Sequence, residues 1–152
     1  NGKWFFATAS NGLYTLSKRG VLTNSTQDMF QKHALMYDNL EVLYGDDNGN
    51  VWIGSGRGIS SFDPDYNGFM GVGPGSNLKK SLPSPNVWSF CEDVSSNYLF
   101  VGTDVGVSRF DKGSGLFTHF NRQKTDKDNS GSACKGKNAY LPKSFIFLTF
   151  LT

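Results

Sequence analysis

An all-β fold of repeated, short antiparallel strands is predicted by three features of this sequence: its glycine and aromatic content, an internal repeat, and weak helical periodicity. Of 152 residues, 14% are aromatic and 18 are glycine, a balance that suits short strands joined by tight turns. Three segments align: Gly2–Leu16 (GKWFFATASNGLYTL), Gly49–Asp63 (GNVWIGSGRGISSFD) and Asn97–Asp111 (NYLFVGTDVGVSRFD). Gly58 and Gly106 lie 48 positions apart, as do Phe62 and Phe110, and Asp63 and Asp111. Leu43 and Phe90, Asp46 and Asp93, and Phe5 and Trp52 lie 47 apart, and Gly12 and Gly58 lie 46 apart. A repeat of about 40 to 50 residues is the size of a propeller blade. The fold class that follows is an incomplete β-propeller of about two to three four-stranded antiparallel blades.

The elements can be justified in order. Residues 1–37 form a partial blade, whose stretch Thr26–Asp38 (TQDMFQKHALMYD) has room for a helical turn or two and is read as an inter-blade loop. Residues 38–81 form a blade in which Asn48-Gly49 signals a hairpin and Gly58 and Gly68 supply later turns. Residues 82–120 form the best-preserved blade. Its strands are NVWSFCED (Asn86–Asp93), the mostly apolar YLFVGT (Tyr98–Thr103), VSRFD (Val107–Asp111) and LFTHF (Leu116–Phe120). In the third of these, Val107, Arg109 and Asp111 share one face, and Ser108 and Phe110 share the other. Residues 121–140 are polar, charged and Gly/Ser-containing, as an insertion or loop would be. In residues 141–152, Leu141-Pro142-Lys143-Ser144 echoes Leu82-Pro83-Ser84-Pro85, and SFIFLTFLT is a candidate first strand of a next blade. So few blades leave open edges, so the isolated chain is expected to be marginally stable or to self-associate, for instance as a homodimer.

Charge and cysteine usage exclude several classes. The net charge is +2. Residues 121–143 contribute 6 − 2 = +4, which leaves the remainder at 9 − 11 = −2. A mildly acidic body with its positive balance in one polar loop argues against nucleic acid as a partner. Cys91 and Cys134 have no metal-ligand spacing; Cys91, in an apolar run, reads as a small buried residue. Asn1 begins within a strand pattern and not in a charged-then-apolar leader. No apolar run reaches the roughly 18 residues of a membrane span, so membrane attachment is expected only through parts of a longer parent chain.

No cofactor, metal or catalytic residue is expected. GSGRG (Gly54–Gly58) lacks the Lys-Ser/Thr of a phosphate loop and leads into a strand. DPDYNG begins like a calcium loop, with Asp63, Asp65 and Asn67, but Pro74 stands where the closing acid belongs. His33 and His119 have no nucleophile or carboxylate partner in sequence. Asp46-Asp47 and Glu92-Asp93 could be acid/base pairs, yet they recur at the blade hairpin, where short acidic side chains bond backbone N–H groups. Asn24-Ser25-Thr26 is a glycosylation triplet, a pattern that also arises by chance. If a ligand binds, the loops at one end of the blades should carry it. There Trp88 could stack on a sugar ring, with Arg57 and Asp104 supplying hydrogen bonds.

Residues Leu82–Phe120 (LPSPNVWSFCEDVSSNYLFVGTDVGVSRFDKGSGLFTHF) resemble the two-component regulator propeller repeat nearly throughout. The middle unit matches at Asp46, Asn48–Trp52, Gly54-Ser55, Gly58 and Phe62-Asp63, and departs at Gly45, where the family has Glu. The first unit keeps Thr8, Gly12 and Leu13. The resemblance implies a fragment of a ligand-sensing propeller in the periplasmic or extracytoplasmic sensor of a hybrid histidine kinase. It further implies an oligosaccharide-type ligand and other propeller blades of the parent chain as neighbours. A scaffold for protein–protein contact without a small ligand, or a fragment of a propeller-fold carbohydrate-active enzyme, are the alternative readings.

Overall fold

The computed structural model describes residues 2–31, 33–66, 68–93, 95–121 and 149–150, and among them there is no helix. The strands are β1 (Lys3–Ala7), β2 (Leu13–Ser17), β3 (Leu22–Ser25), β4 (Leu40–Gly45), β5 (Val51–Ser55), β6 (Gly58–Phe62), β7 (Met70–Val72), β8 (Val87–Asp93), β9 (Tyr98–Thr103), β10 (Gly106–Asp111), β11 (Leu116–Asn121) and β12 (Thr149–Phe150). They form three four-stranded sheets, ordered β12-β1-β2-β3, β4-β5-β6-β7 and β8-β9-β10-β11. Every pairing between these strands is antiparallel. The predicted all-β, incomplete propeller-like fold is therefore present.

The polar insertion expected over 121–140 lies, past Asn121, outside the described residues. So does most of 141–152. The described pair Thr149–Phe150 hydrogen-bonds along β1 at Trp4 and Phe5, in the place that β4 and β8 hold in the other sheets. Thr26–Asp38 holds no helix among its described residues. Instead Gln27 bridges Leu35 in parallel, as Pro74 bridges Leu82. Leu35 and Leu82, 47 positions apart, are both buried, so the inter-blade loop belongs to the repeat as well.

Neighbouring sheets approach through β1 and β12 against β4, and through β4 and β5 against β8. They converge on these leading strands and splay toward β3, β7 and β11. Alternation places one apolar row of each sheet on its neighbour. Phe5 and Leu13 of the first sheet meet Leu40, Leu43, Val51 and Ile53 of the second. Ile59 meets Val87, Phe90, Leu99, Val101 and Phe117 of the third. An aromatic ladder marks both junctions. Phe5 stands edge-on to Phe62 at 5.3 Å, which packs on Phe69 at 4.9 Å; Trp52 stands edge-on to Phe110 at 5.6 Å, which packs on Phe117 at 4.8 Å. Such geometries suit the ring quadrupoles.

Two glycines fix this arrangement. Gly54 sits where a Cβ would lie 2.6 Å from Val42 Cγ1 and 2.7 Å from Val87 Cγ1, so its bareness lets the second and third sheets close up. Gly58 opens β6 at φ +127°, and a Cβ there would press into the carbonyl of Val72. Gly58→Ala should therefore lower stability by about 1–3 kcal/mol, seen as an earlier urea midpoint at unchanged slope. An unshifted midpoint would mean that the turn adjusts freely.

The hairpin that Asn48-Gly49 signals joins β4 to β5: Gly49 takes positive φ, at 85°, and Asp46 N–H on the Asn50 carbonyl at 2.9 Å closes the loop. One reading of the sequence needs correction. Cys91 is half-buried and outside the core, because it falls on the face of the third sheet that carries Phe100 and Arg109.

Candidate functional site

The β1–β2, β5–β6 and β9–β10 turns and the segments leading into β4 and β8 gather at one end of the sheets. Two of the three residues singled out in the sequence join a common surface there. Asp104, in the β9–β10 turn, accepts a hydrogen bond from the Ser84 hydroxyl and another, at 3.1 Å, from Asn86 Nδ2. The Ser84 hydroxyl, then Asn86, hold its carboxyl below the usual carboxylate range. The Asn86 amide N–H in turn donates to Ser84 Oγ at 3.2 Å.

In the second repeat Tyr37 and Gly56 stand at the positions of Ser84 and Asp104. With no carboxylate to clasp, the tyrosine takes a different partner: the Arg57 guanidinium lies over its ring at 4.6 Å, a cation–π contact. A Cβ on Gly56 would be 3.7 Å from both Asn86 Oδ1 and Tyr37 Cε1. The bare Gly56 thus brings the Arg57–Tyr37 stack and the Asn86–Asp104 clasp side by side. Trp88 lies two residues past Asn86, in the β-bulge between Val87 and Ser89, and is 45% exposed. The equivalent bulge in β4 exposes Glu41. The surface offers an aromatic face, guanidinium donors and an ionised acceptor, a set suited to a ligand rich in hydroxyl groups.

The opposite end holds a second polar cluster, buried and shared between sheets. Lys112, 8% exposed at its side chain, is hydrogen-bonded to Glu92 and lies 3.5 Å from Asp46 Oδ2; the Glu92 and Asp46 side chains are 2% and 0% exposed. Asp46 also accepts from the Trp52 indole at 2.9 Å and from the Asn48 and Asn50 amides at 3.0 and 2.8 Å. Glu92 reaches across to the Asp47 amide at 3.0 Å. Burial opposes the charge on Lys112, but the Glu92 hydrogen bond and the Asp46 charge outweigh it and raise its pKa. Tyr44 beside them is pushed up to about 12, by burial first and then by the Glu92 charge.

The expected turn chemistry holds for Asp46 and for Asp93, which binds the Ser95 amide and hydroxyl at 3.2 and 2.7 Å. Glu92 departs from it by tying two sheets together. The repeat carries a signal for this: Gly45 and Pro64 occupy the positions of Glu92 and Lys112 one unit earlier, so the acid and its cation are lost together.

The remaining candidates have structural partners. His119 binds the Ser108 hydroxyl at Nδ1 (2.8 Å) and the Leu78 carbonyl at Nε2 (2.6 Å), which clips the preceding loop to the third sheet. His33 accepts the Phe69 amide at its backbone carbonyl, at 2.8 Å. In the calcium-like segment, Asp63 accepts the Asp65 amide at 2.9 Å and Asp65 lies 3.7 Å from Lys3 Nζ; Asn67 and the Cys134 thiol lie outside the described residues.

No family model and no curated protein matches the chain. Solved structures do. One is the extracellular domain described for a hybrid two-component system of B. thetaiotaomicron, with TM-score 0.66 and 19% identity over 76% of this chain. Two more are structures of the extracellular domain of one further protein of the same organism, described in one as a hybrid two-component system and in the other as a one-component system. Their TM-scores are 0.62 and 0.59, with 18% and 19% identity over 78% and 76% of this chain. The likeness is one of fold. This chain spans 16% of the first of those chains and 15% of each of the others.

Proposed function

We propose that this chain is part of the extracytoplasmic sensor region of a two-component-type signalling receptor, and that its loop-end surface of Tyr37, Arg57, Asn86 and Asp104 contributes to binding an oligosaccharide-type ligand. The observation that carries the reading is the sheet arrangement common to this chain and three solved structures of extracellular domains, from two signalling proteins. The repeat resemblance over Leu82–Phe120 supports it independently. The loop-end chemistry supports the ligand class, because a stacked arginine, an amide and a carboxylate can share hydrogen bonds with neighbouring hydroxyls. Binding is a better assignment for this segment than catalysis: the acidic pairs that could act as acid and base are engaged in turns and in the Lys112 cluster. Periplasmic placement, and a kinase output elsewhere in a longer parent chain, follow from the same reading.

The test is calorimetric titration of the chain with a panel of oligosaccharides, followed by Arg57→Ala and Asp104→Asn. Each substitution should weaken a bound oligosaccharide about 10- to 100-fold, the worth of one hydrogen bond to a charged group; because Asp104 also holds Ser84 and Asn86 and Arg57 stacks on Tyr37, circular dichroism melts check that both variants remain folded at the titration temperature. Binding that ignores both substitutions would place the ligand elsewhere. An absence of any heat across the panel would favour the scaffold reading, which the exposed Trp88 and Val105 beside these loops support.

A further inference from the structure

The first and second sheets splay apart around a groove of about 310 Å³, between β2 and β3 on one side and the end of β6 and its connection to β7 on the other. One wall is a row of hydroxyls, Thr15, Ser17, Thr23 and Ser25; the other is aromatic, Phe62, Phe69 and Tyr66. Strand pairing builds the first wall. Thr15 lies opposite Thr23, and Leu13 opposite Ser25, so these hydroxyls continue the face that Phe5 and Leu13 turn to the core. Lys3 closes one end by donating to the Pro64 carbonyl, 3.7 Å from Asp65. That end lies away from the β1–β2 and β5–β6 turns, so the groove is separate from the loop-end surface of Arg57 and Asp104.

The repeat shows that sheet packing does not require these residues. One unit later Met70 and Val72 stand at the positions of Thr23 and Ser25, and Lys112 and Ser114 at those of Pro64 and Tyr66. At the second junction apolar side chains thus line the fourth strand, and Lys112 reaches across to Asp46. At the first, hydroxyls replace that apolar pair and a proline withdraws the long side chain. A tyrosine adds a ring to the facing rim, 76% exposed. The exchanges converge on one place: they open the groove and give it two walls of different chemistry.

We infer that this groove is a second binding site, for a single neutral pyranose ring. Ligand sites begin at about 300 Å³, so there is room for one ring and not for a chain of them. A pyranose offers an apolar C–H face to the aromatic wall. The hydroxyls around its edge meet Thr15, Ser17, Thr23 and Ser25, each of which can both donate and accept. A wholly apolar ligand would strand those protein hydroxyls away from water. An anionic one would have to draw Lys3 from the Pro64 carbonyl and Asp65.

Amide NMR spectra of the isotope-labelled whole chain test this, during titration with the methyl pyranosides of glucose, galactose, mannose and xylose. The titrations run to about 10 mM, tenfold above a millimolar dissociation constant. At least one glycoside should bind saturably, with its shifts centred on Thr15, Thr23, Gly68 and Phe69. Tyr66→Ala and Thr23→Met, the latter installing the second sheet's residue, should each weaken that binding about 5- to 100-fold, the cost of leaving a polar partner or its face unmatched. Both side chains are exposed, so circular dichroism melts should match those of the unsubstituted chain. Arg57→Ala should leave the binding unchanged. Shifts centred on Arg57 and Asp104, and abolished by Arg57→Ala, would give the sugar to the loop-end surface and overturn the groove assignment. Silence across the whole panel, or binding indifferent to both groove substitutions, overturns it too, and neither result bears on the loop-end surface.

Discussion

Lys112→Met should destabilise the chain by about 3–5 kcal/mol, the cost of removing one partner from a buried ion pair. Glu92 would be left at 2% side-chain exposure with its cation gone, while Asp46 would keep the Trp52 indole and two amides. Denaturant titration reads this directly, and a loss below about 1 kcal/mol, the range of exposed pairs, would show that water reaches the cluster. Removing both members with Lys112→Met/Glu92→Leu should recover much of the loss, because an apolar pair has no desolvation cost to offset. The pH dependence follows from the raised pKa of Lys112. The stability contributed by this pairing is full below the ordinary lysine value of 10.5 and is lost as pH rises through the higher folded value. The unsubstituted chain should thus show a larger alkaline loss of stability than the methionine variant, in which the loss tied to the raised Tyr44 pKa remains.

Phe117→Ala is expected to cost about 3–5 kcal/mol, the range for deleting a packed aromatic ring. Phe117 is 7% exposed and lies between Phe110, at 4.8 Å, and the stacked His119 ring, at 5.9 Å. Its counterpart Phe69 is only half-buried at a junction that opens into a groove lined by Thr15, Thr23 and Tyr66. Comparison of the two alanine variants by thermal melting therefore carries a direction: the Phe117 loss should be the larger. Equal losses would mean that both junctions are packed alike and that the groove is filled in solution.

The strand plan was legible because alternation and turn chemistry are local. Tyr98–Thr103 is the strand read from YLFVGT, and Ser108 and Phe110 face the core opposite Val107 and Arg109, as the period of two requires. What crosses between sheets was hidden. Nothing near Glu92 in sequence says that Lys112 will fold back to it and that Asp46 will arrive from another sheet; only the joint exchange for Gly45 and Pro64 hints at the coupling. Cys91 was misjudged for a related reason. An apolar run shows that a strand is apolar, but which of its faces is covered depends on whether another sheet lies there. At the loop end, Arg57 and Asp104 were legible as exposed turn residues, while their partners Tyr37, Ser84 and Asn86 precede the strands by a distance that only the repeat alignment reveals.

The pairing of β12 with β1 joins Phe150 to Trp4, whereas the second and third sheets are stitched from consecutive hairpins. During synthesis at the ribosome those two sheets can assemble as their strands emerge, since closing short loops is fast and entropically cheap. The first sheet is completed only once Thr149–Phe150 have followed, 150 − 4 = 146 positions after Trp4. Between the synthesis of β1 and that of β12 the leading edge of β1 lacks its β12 partner, and that interval is the one in which this edge is open to mispairing.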